Sequence, residues 1–297
     1  MKIKILFFLC LLPFLLFAKQ NNNHFITKTS SGTIDWSTGI IEIQGYAKIP
    51  EFIKNPDDPR YDANNPEQPR NEAQAKLLAK NQAKENAILA TTKLIKTINV
   101  DNEKTIGDYM NDPAINSKIN NFVNDNFKIT DIEYTDEAVI VYASYFLYGE
   151  HSLLNQFIDG KESDIILFNY EKFVSYPLTN NHSYAGLVIS APDIEITPAL
   201  NPKIYSENGN LIYDSRFIEA KPAVSSGIVN YGKTPFNLLK EVNLQYYHCS
   251  AIKTTTFDGC DIVISDEDAK TLLSNPETIN NLKKAKVIIL SSDKKKN

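Results

Sequence analysis

The stretch that decides the fold runs from Asn71 to Ile98 and reads NEAQAKLLAKNQAKENAILATTKLIKTI. Four of its alanines recur every fourth residue, a spacing that places side chains on one face of an α-helix: Ala75, Ala79, Ala83 and Ala87. Four more apolar residues recur at helical spacing, and we expect them to face inward too: Ala73, Leu77, Leu94 and Ile98. Because alanine is small, this row lets a helix approach a sheet closely. The stretch therefore predicts a long helix lying on a β-sheet.

Strand patterns flank this helix on both sides. Trp36 to Ile49 contains Ile40, Ile41 and Ile43 together with Gly39 and Gly45, which predicts a strand with a turn or bulge at each glycine. Prolines crowd residues 50–70 and predict a long exposed loop. Ile129 to Tyr134 and Ala138 to Tyr148 predict two strands of a hairpin. The sequence thus predicts an α+β domain over residues 33–160, in which an N-terminal strand, the alanine-rich helix and a return hairpin follow one another.

The pattern changes from about Glu162, where turn residues become frequent and the predicted strands become short. Asn208-Gly209 predicts a hairpin between two of them. Ser265 is expected to cap a helix, and the apolar run from Ala285 to Leu290 predicts a buried central strand. We therefore expect a second, β-rich α+β domain over residues 161–290, followed by a basic tail over residues 291–297. Few contacts should cross the polar junction at residues 160–164.

The N-terminus has the pattern of a secretory signal peptide. Lys2 and Lys4 precede an apolar stretch from Ile5 to Phe17, and Ala18 supplies a small residue for cleavage. Residues 1–18 are therefore predicted to be removed, and residues 19–32 to form a flexible lead-in. An uncleaved anchor and a lipid on Cys10 are the alternatives, although no small residue precedes that cysteine.

Composition and motifs indicate no catalytic chemistry. The formal net charge is −5, which lacks the basic field that nucleic acid requires, so no nucleic-acid partner is expected. The chain lacks a Gly-x-Ser-x-Gly motif and a glycine-rich phosphate loop, and its four histidines lie far apart. We expect neither an enzyme nor a bound cofactor or metal. His248-Cys249 with Asp258 and Asp261 could be drawn as a metal site, but these residues are better explained as strand and turn residues.

Two residue types deserve a functional interpretation. Cys249 and Cys260 are the two cysteines beyond the predicted signal peptide, and whether they form a disulfide is open. The chain also contains 15 tyrosines. Five of them lie on predicted strands as a candidate contact surface for protein or glycan: Tyr142, Tyr145, Tyr148, Tyr246 and Tyr247. Adjacent residues of a strand face opposite sides, so Tyr246 and Tyr247 should lie on opposite sheet faces.

Residues 33–150 resemble the LPP20 lipoprotein domain, which also occurs in flagellum-associated envelope proteins of the FlgP and FlgT kind. The resemblance is carried by Trp36 to Gly45, by the alanine-rich helix, and by Val100 and Ile106. The second half resembles a companion module found in envelope proteins of spirochaetes and other Gram-negative bacteria, through these segments: Gly186 to Ala191, Pro198 to Tyr205, Glu207 to Gly209 and Asp261 to Ala269.

The resemblance implies a structural or assembly role in the cell envelope, at the flagellum or outer membrane, with no chemistry. The expected location is the periplasm or the periplasmic face of the outer membrane. The expected partners are other envelope or flagellar proteins, or a second copy of the chain. A module that binds peptidoglycan or another glycan through exposed tyrosines is the alternative.

Overall fold

The fold is taken from a computed structural model that describes residues 24–65, 68–157, 177, 182–233, 245–257 and 259–291. The predicted signal peptide, the junction at residues 160–164 and all but the first residue of the predicted tail lie outside the described residues. Helices and strands alternate in a mixed order that makes the chain an α+β protein, as predicted.

The first half, over its described residues, contains one five-stranded sheet and three helices. Its strands are β1 (Ile26–Lys28), β2 (Gly32–Asp35), β3 (Ile40–Lys48), β4 (Lys128–Tyr134) and β5 (Ala138–Phe146). Its helices are α1 (Glu72–Lys96), α2 (Ile106–Tyr109) and α3 (Pro113–Asp125), followed by a 3-10 turn over Leu154–Phe157. The strands are antiparallel and lie in the order β1-β2-β3-β5-β4, and α1 packs on one face.

The alanine row of α1 contacts the sheet as predicted. Ala75, Ala79, Ala83 and Ala87 are at most 1% exposed. The helix approaches the sheet closely at Gly45 on β3, where an added Cβ would meet the carbonyl oxygen of Ala83 and lie 2.8 Å from the Cβ of Ala87. Gly45 is therefore a contact site for the helix. The register between β3 and β5 runs unbroken past it, so the predicted bulge is wrong there. Gly39, with a φ of 69°, lies in the turn between β2 and β3.

Two other expectations for the first half need correction. Leu77 is 57% exposed, and Ala73 is exposed as well. In the first half of α1, the alanine row that begins at Ala75 faces the sheet, so residues 73 and 77 face away from it. The lead-in predicted to be flexible contains strand β1. It is held by β2, and Thr27 accepts a hydrogen bond of 3.0 Å from the indole of Trp36.

The described residues of the second half form two four-stranded sheets. Its strands are β6 (Gly186–Ala191), β7 (Ile204–Ser206), β8 (Leu211–Tyr213), β9 (Asn230–Lys233), β10 (Tyr246–Ser250), β11 (Lys253–Thr254), β12 (Ile262–Ile264) and β13 (Val287–Ser291). Its helices are α4 (Ala220–Ser226), α5 (Asp266–Leu273) and α6 (Pro276–Leu282), with a 3-10 turn over Ser215–Phe217.

The two sheets differ in strand direction. One is parallel, in the order β10-β6-β13-β9, and the other is mixed, in the order β11-β12-β7-β8. The final strand β13 is buried along its length between β6 and β9, which confirms the predicted central position. The predicted hairpin joins β7 to β8, with Gly209 at a φ of 79°. The Ser265 hydroxyl accepts from the backbone N–H of Asp268 and caps α5.

The two halves meet along an apolar seam centred on Tyr231 of β9. Its ring lies 5.5 Å from that of Phe25 and 5.7 Å from that of Trp36, both edge to face. Ser37 donates a hydrogen bond of 2.7 Å to the Tyr231 carbonyl oxygen. Buried residues from both halves belong to one continuous hydrophobic cluster. The seam is therefore part of the core.

Further contacts extend the seam at both ends. The ring of Tyr148 lies against Gly39 and Gly227, where an added Cβ would come within 2.6 Å and 2.9 Å of it. At the other end, the carbonyl oxygen of Val100 accepts a hydrogen bond of 2.7 Å from the backbone N–H of Asn201. The expectation that few contacts cross the boundary is therefore wrong. The boundary itself, between residues 160 and 161, remains a prediction.

A polar cluster lies beside this second end. Lys203 and Asp101 form an ion pair of 3.6 Å, and Asp261 accepts a hydrogen bond of 2.8 Å from the backbone N–H of Lys203. Burial raises the pKa of the Asp261 carboxyl, and this hydrogen bond offsets part of the rise. The cluster links the loop after α1 to strands β7 and β12.

Candidate interaction surface

The face of the five-stranded sheet opposite α1 presents side chains from three neighbouring strands. In the central rows, Tyr46 of β3 pairs with Ile140 of β5, and Gln44 pairs with Tyr142. Ile40 pairs with Phe146 at the end nearest the second half. We call these residues, with Glu42, Glu133 and Asp131 beside them, the outer sheet face. Antiparallel sheets commonly pack one face on a core and leave the other open.

The outer sheet face exposes large aromatic side chains. Tyr46 is 50% exposed and Phe146 is 48% exposed. Tyr142 is half-buried between them and donates a hydrogen bond of 3.1 Å to Glu133. Partial burial, together with that carboxylate, raises the pKa of the Tyr142 hydroxyl. The arrangement combines apolar rings with carboxylate and amide groups, which suits contact with another macromolecule.

Only part of the predicted tyrosine surface lies on this face. Tyr142 does, but Tyr145 points to the opposite side, where it is 1% exposed and donates a hydrogen bond of 3.1 Å to the carbonyl oxygen of Val123. Burial raises the pKa of Tyr145 to about 12. Tyr148 lies in the seam against two glycines. The prediction that these two tyrosines belong to a contact surface is therefore wrong, because the strand alternation and the seam turn them inward.

Tyr246 and Tyr247 lie on β10, at the edge of the parallel sheet and away from the outer sheet face. Both are half-buried. Tyr247 donates a hydrogen bond of 2.6 Å to Asp268, and its ring lies 5.0 Å from that of Tyr184. Tyr246 packs over the start of β6 at Gly186. The five predicted tyrosines are thus distributed over separate environments.

Sequence reasoning missed Tyr46 and Phe146, the most exposed aromatic residues of the outer sheet face. A signal was present in β3, where Glu42, Gln44 and Lys48 alternate with buried residues and share one face with Tyr46. Phe257 was also missed as a surface residue. It is 94% exposed in the loop between β11 and β12.

The two cysteines are free thiols and both are buried. Cys249 lies on β10 of the parallel sheet, whereas Cys260 precedes β12 of the mixed sheet. Burial raises the pKa of the Cys249 thiol to about 12. The pKa of Cys260 is also raised by burial, with a further contribution from Asp261. The open question of a disulfide is thus answered by free thiols in this structure.

Within residues 24–65, 68–157, 177, 182–233, 245–257 and 259–291, no three His, Cys, Asp or Glu side chains come together as metal ligands, and Asp258 lies outside these ranges. Among the helices of those same ranges, none combines the length and the apolar character that a membrane span requires.

The fold and this surface define an α+β protein in which a helix-backed antiparallel sheet with an open face is joined to a two-sheet second half. Residues 186–293 match the family model described as the second domain of Treponema pallidum Tp0624. The match begins at the first residue of β6 and includes all of β13, so it spans both sheets of the second half. The second half is therefore similar to a domain of a spirochaete protein, as the sequence indicated. No curated protein matched the chain.

Proposed function

We propose that the protein is a non-catalytic component of the cell envelope, with a structural or assembly role at the flagellum or outer membrane. The observation that carries the proposal is the outer sheet face, where Tyr46 and Phe146 are about half exposed. Aromatic side chains are enriched at protein interfaces because they bury a large area when a partner covers them. The partner is another envelope or flagellar protein or a second copy of the chain.

The envelope location rests on the N-terminal sequence and on two similarities. Residues 1–18 have the charge, apolar length and small final residue of a signal peptide. The first half resembles the LPP20 domain, and the second half matches a domain of a spirochaete protein. The proposal therefore places the mature chain in the periplasm or at the periplasmic face of the outer membrane. It includes no enzymatic activity, no cofactor and no nucleic-acid partner.

The test compares two double variants of the full chain by cross-linking in cells and by native mass measurement of the purified protein. Tyr46→Ser with Phe146→Ser removes exposed aromatic area from the outer sheet face. Leu77→Ser with Leu89→Ser is the control, since these residues of α1 are 57% and 66% exposed on another surface. We expect cross-linked complexes to be lost only in the first variant. Equal complexes in the two variants would contradict the proposal.

Deleting the gene distinguishes a flagellar role from a role at the outer membrane. Loss of motility with an intact envelope supports a flagellar role. Increased permeability to large antibiotics with normal motility supports an outer-membrane role. A deletion strain that is normal in both respects counts against a structural role in either place.

Binding to peptidoglycan or another glycan is the second candidate. It is favoured by Tyr142, whose ring lies beside Glu133 and Gln44 on the outer sheet face. An aromatic ring can pack on the apolar face of a sugar while polar side chains beside it bind the sugar hydroxyls. Co-sedimentation with purified peptidoglycan tests it. We expect Tyr142→Ala to abolish sedimentation if the glycan is the ligand, whereas sedimentation that never exceeds that of an unrelated acidic protein excludes this candidate.

A further inference from the structure

A cavity of about 340 Å³ opens at the seam, where the parallel strands β9, β10 and β13 begin. Ser37, in the turn before β3, contributes from the first half. The second half contributes four polar residues at or just before three strand starts: Asn230, Tyr246, Lys284 and Lys286. Its volume lies within the range of about 300–1,000 Å³ that is usual for small-molecule sites.

The cavity is cationic although the chain as a whole is acidic. Lys284 and Lys286 are both exposed, and neither forms an ion pair with a described residue. No carboxylate is among the described residues that line the cavity. The formal charge of the whole chain is −5, so two ammonium groups in one cleft, without an ion-pair partner among the described residues, are a local reversal of sign. Such a cleft attracts anions and fits a ligand with two negative charges.

Neutral hydrogen-bond donors supplement the two amines. The hydroxyl of Ser37 already donates to the carbonyl oxygen of Tyr231, and that of Ser226 donates to Pro222. The side-chain amide of Asn230 and the hydroxyl of Tyr246 make no hydrogen bond with another described residue. These two groups remain able to donate to a bound oxygen atom.

Local backbone geometry holds the cationic and aromatic groups together. An added Cβ on Gly186 would clash with the ring of Tyr246 and with the carbonyl oxygen of Lys286, so glycine leaves the space in which the ring lies. Ala285 has a φ of 56° in the turn between α6 and β13 and is itself buried. The exposed lysines on either side of it both line the cavity.

We propose that this cavity binds a phosphate monoester, with Lys284 and Lys286 contacting the phosphate and Asn230 and Tyr246 donating further hydrogen bonds. A phosphate monoester carries about −1.5 to −2 charges at neutral pH, which matches two ammonium groups better than a single carboxylate does. The ring of Tyr246 and the apolar start of β13 contact the body of the ligand. The site is separate from the outer sheet face and does not depend on the proposed function.

The test measures binding of glycerol 3-phosphate to the full chain by calorimetry. Glycerol is the uncharged counterpart, and acetate is the monoanion. The Lys284→Ala, Lys286→Ala variant removes both cavity charges. Lys270→Ala with Lys283→Ala is the control, because it removes two charges from α5 and the end of α6 that do not line the cavity.

We expect saturable binding of glycerol 3-phosphate that weakens roughly tenfold or more in the cavity variant and stays within about twofold in the control. Glycerol and acetate should bind far more weakly. An equal loss in both variants would reduce the effect to net charge and overturn the proposal. Acetate binding as tight as that of the phosphate would overturn it as well.

A second measurement separates a soluble ligand from a lipid headgroup. Phosphatidylcholine vesicles with and without phosphatidic acid are floated with each variant. Flotation that requires phosphatidic acid and both cavity lysines supports a phosphate headgroup, whereas binding of glycerol 3-phosphate without flotation supports a soluble ligand. Absence of both overturns the proposal.

Discussion

Replacing Ala83 with leucine tests the contact on which the first half is built. Ala83 is fully buried, and its carbonyl oxygen is the atom that a Cβ on Gly45 would meet first. The same Cβ would lie 2.8 Å from the Cβ of Ala87, against about 3.5–4.0 Å for two carbons at their best separation. The helix and the strand are thus about 1 Å too close for even one additional methyl group.

Leucine at residue 83 adds three carbons between α1 and the sheet and must push the helix away from it. Overpacking of this kind costs about 1–3 kcal/mol, and we expect a cost in this range because Ala83 belongs to a buried cluster with Ala47, Val139 and Val141. At about 2–4 °C for each kcal/mol, the melting temperature should fall by several degrees. Circular dichroism of the full chain during heating and urea titration gives both quantities.

The control for this experiment is Ala73→Leu, the same substitution on an exposed position of the same helix. It should leave the free energy of unfolding within about 0.5 kcal/mol of the starting value. If the Ala83→Leu and Ala73→Leu variants have the same melting temperature, then α1 does not contact the sheet through its alanine row. Gly45→Ala probes the contact from the sheet side and should destabilise the protein in the same way.

Three further predictions concern the seam and the buried ionisable groups. Tyr148→Ala should lower the free energy of unfolding by about 3–5 kcal/mol and split a single calorimetric melting transition into two, since it removes the ring that lies between Gly39 and Gly227. An unchanged single transition would show that the ring does not couple the two halves. In the unsubstituted protein, the folded state keeps the Asp261 proton to a higher pH than the unfolded state does, so stability should fall as the pH rises from about 3.8 through the raised pKa of this carboxyl. Asp261→Asn should remove this loss of stability. Identical pH profiles of the two proteins in urea would contradict the prediction. Cys249 should resist iodoacetamide at pH 8 in the folded protein and react on unfolding, because burial raises its pKa to about 12. Fast alkylation of the folded protein, or a mass lower by two hydrogen atoms because a disulfide has formed, would refute it.

The sequence predicted those features that are encoded by local periodicity. The alanine row repeats every fourth residue, Gly209 marks a turn between two short strands, and β13 is a continuous apolar run. Each of these signals lies within a few neighbouring residues. The seam escaped prediction because its contacts join residues far apart in the chain. Phe25 and Tyr231 are an example, since neither shows a local sign of the other.

The candidate surface was predicted in part for a related reason. Tyrosine content suggested contacts, but the side to which each ring points depends on the register of its strand. Tyr142 and Tyr145 differ by an odd number of residues, so one faces outward and the other meets α3. The tyrosine count indicated the segment from Ala138 to Tyr148 and therefore β5, whereas β3 contains Tyr46 as a single tyrosine. Its polar neighbours on β3 would have identified its face.

The close helix contact and the seam together determine which part of the sheet a partner can reach. Helix α1 covers one face, and its alanine row holds it against β3 and β5. The second half packs at the end of the sheet where the turn at Gly39 meets Tyr148. The outer sheet face is left open between them, and its row of Ile40 and Phe146 lies next to that same turn. A partner bound over Phe146 therefore lies close to Ser37, which lines the cationic cavity. The two proposed sites thus lie on either side of one turn. Variants on each side of that turn can test the two sites independently.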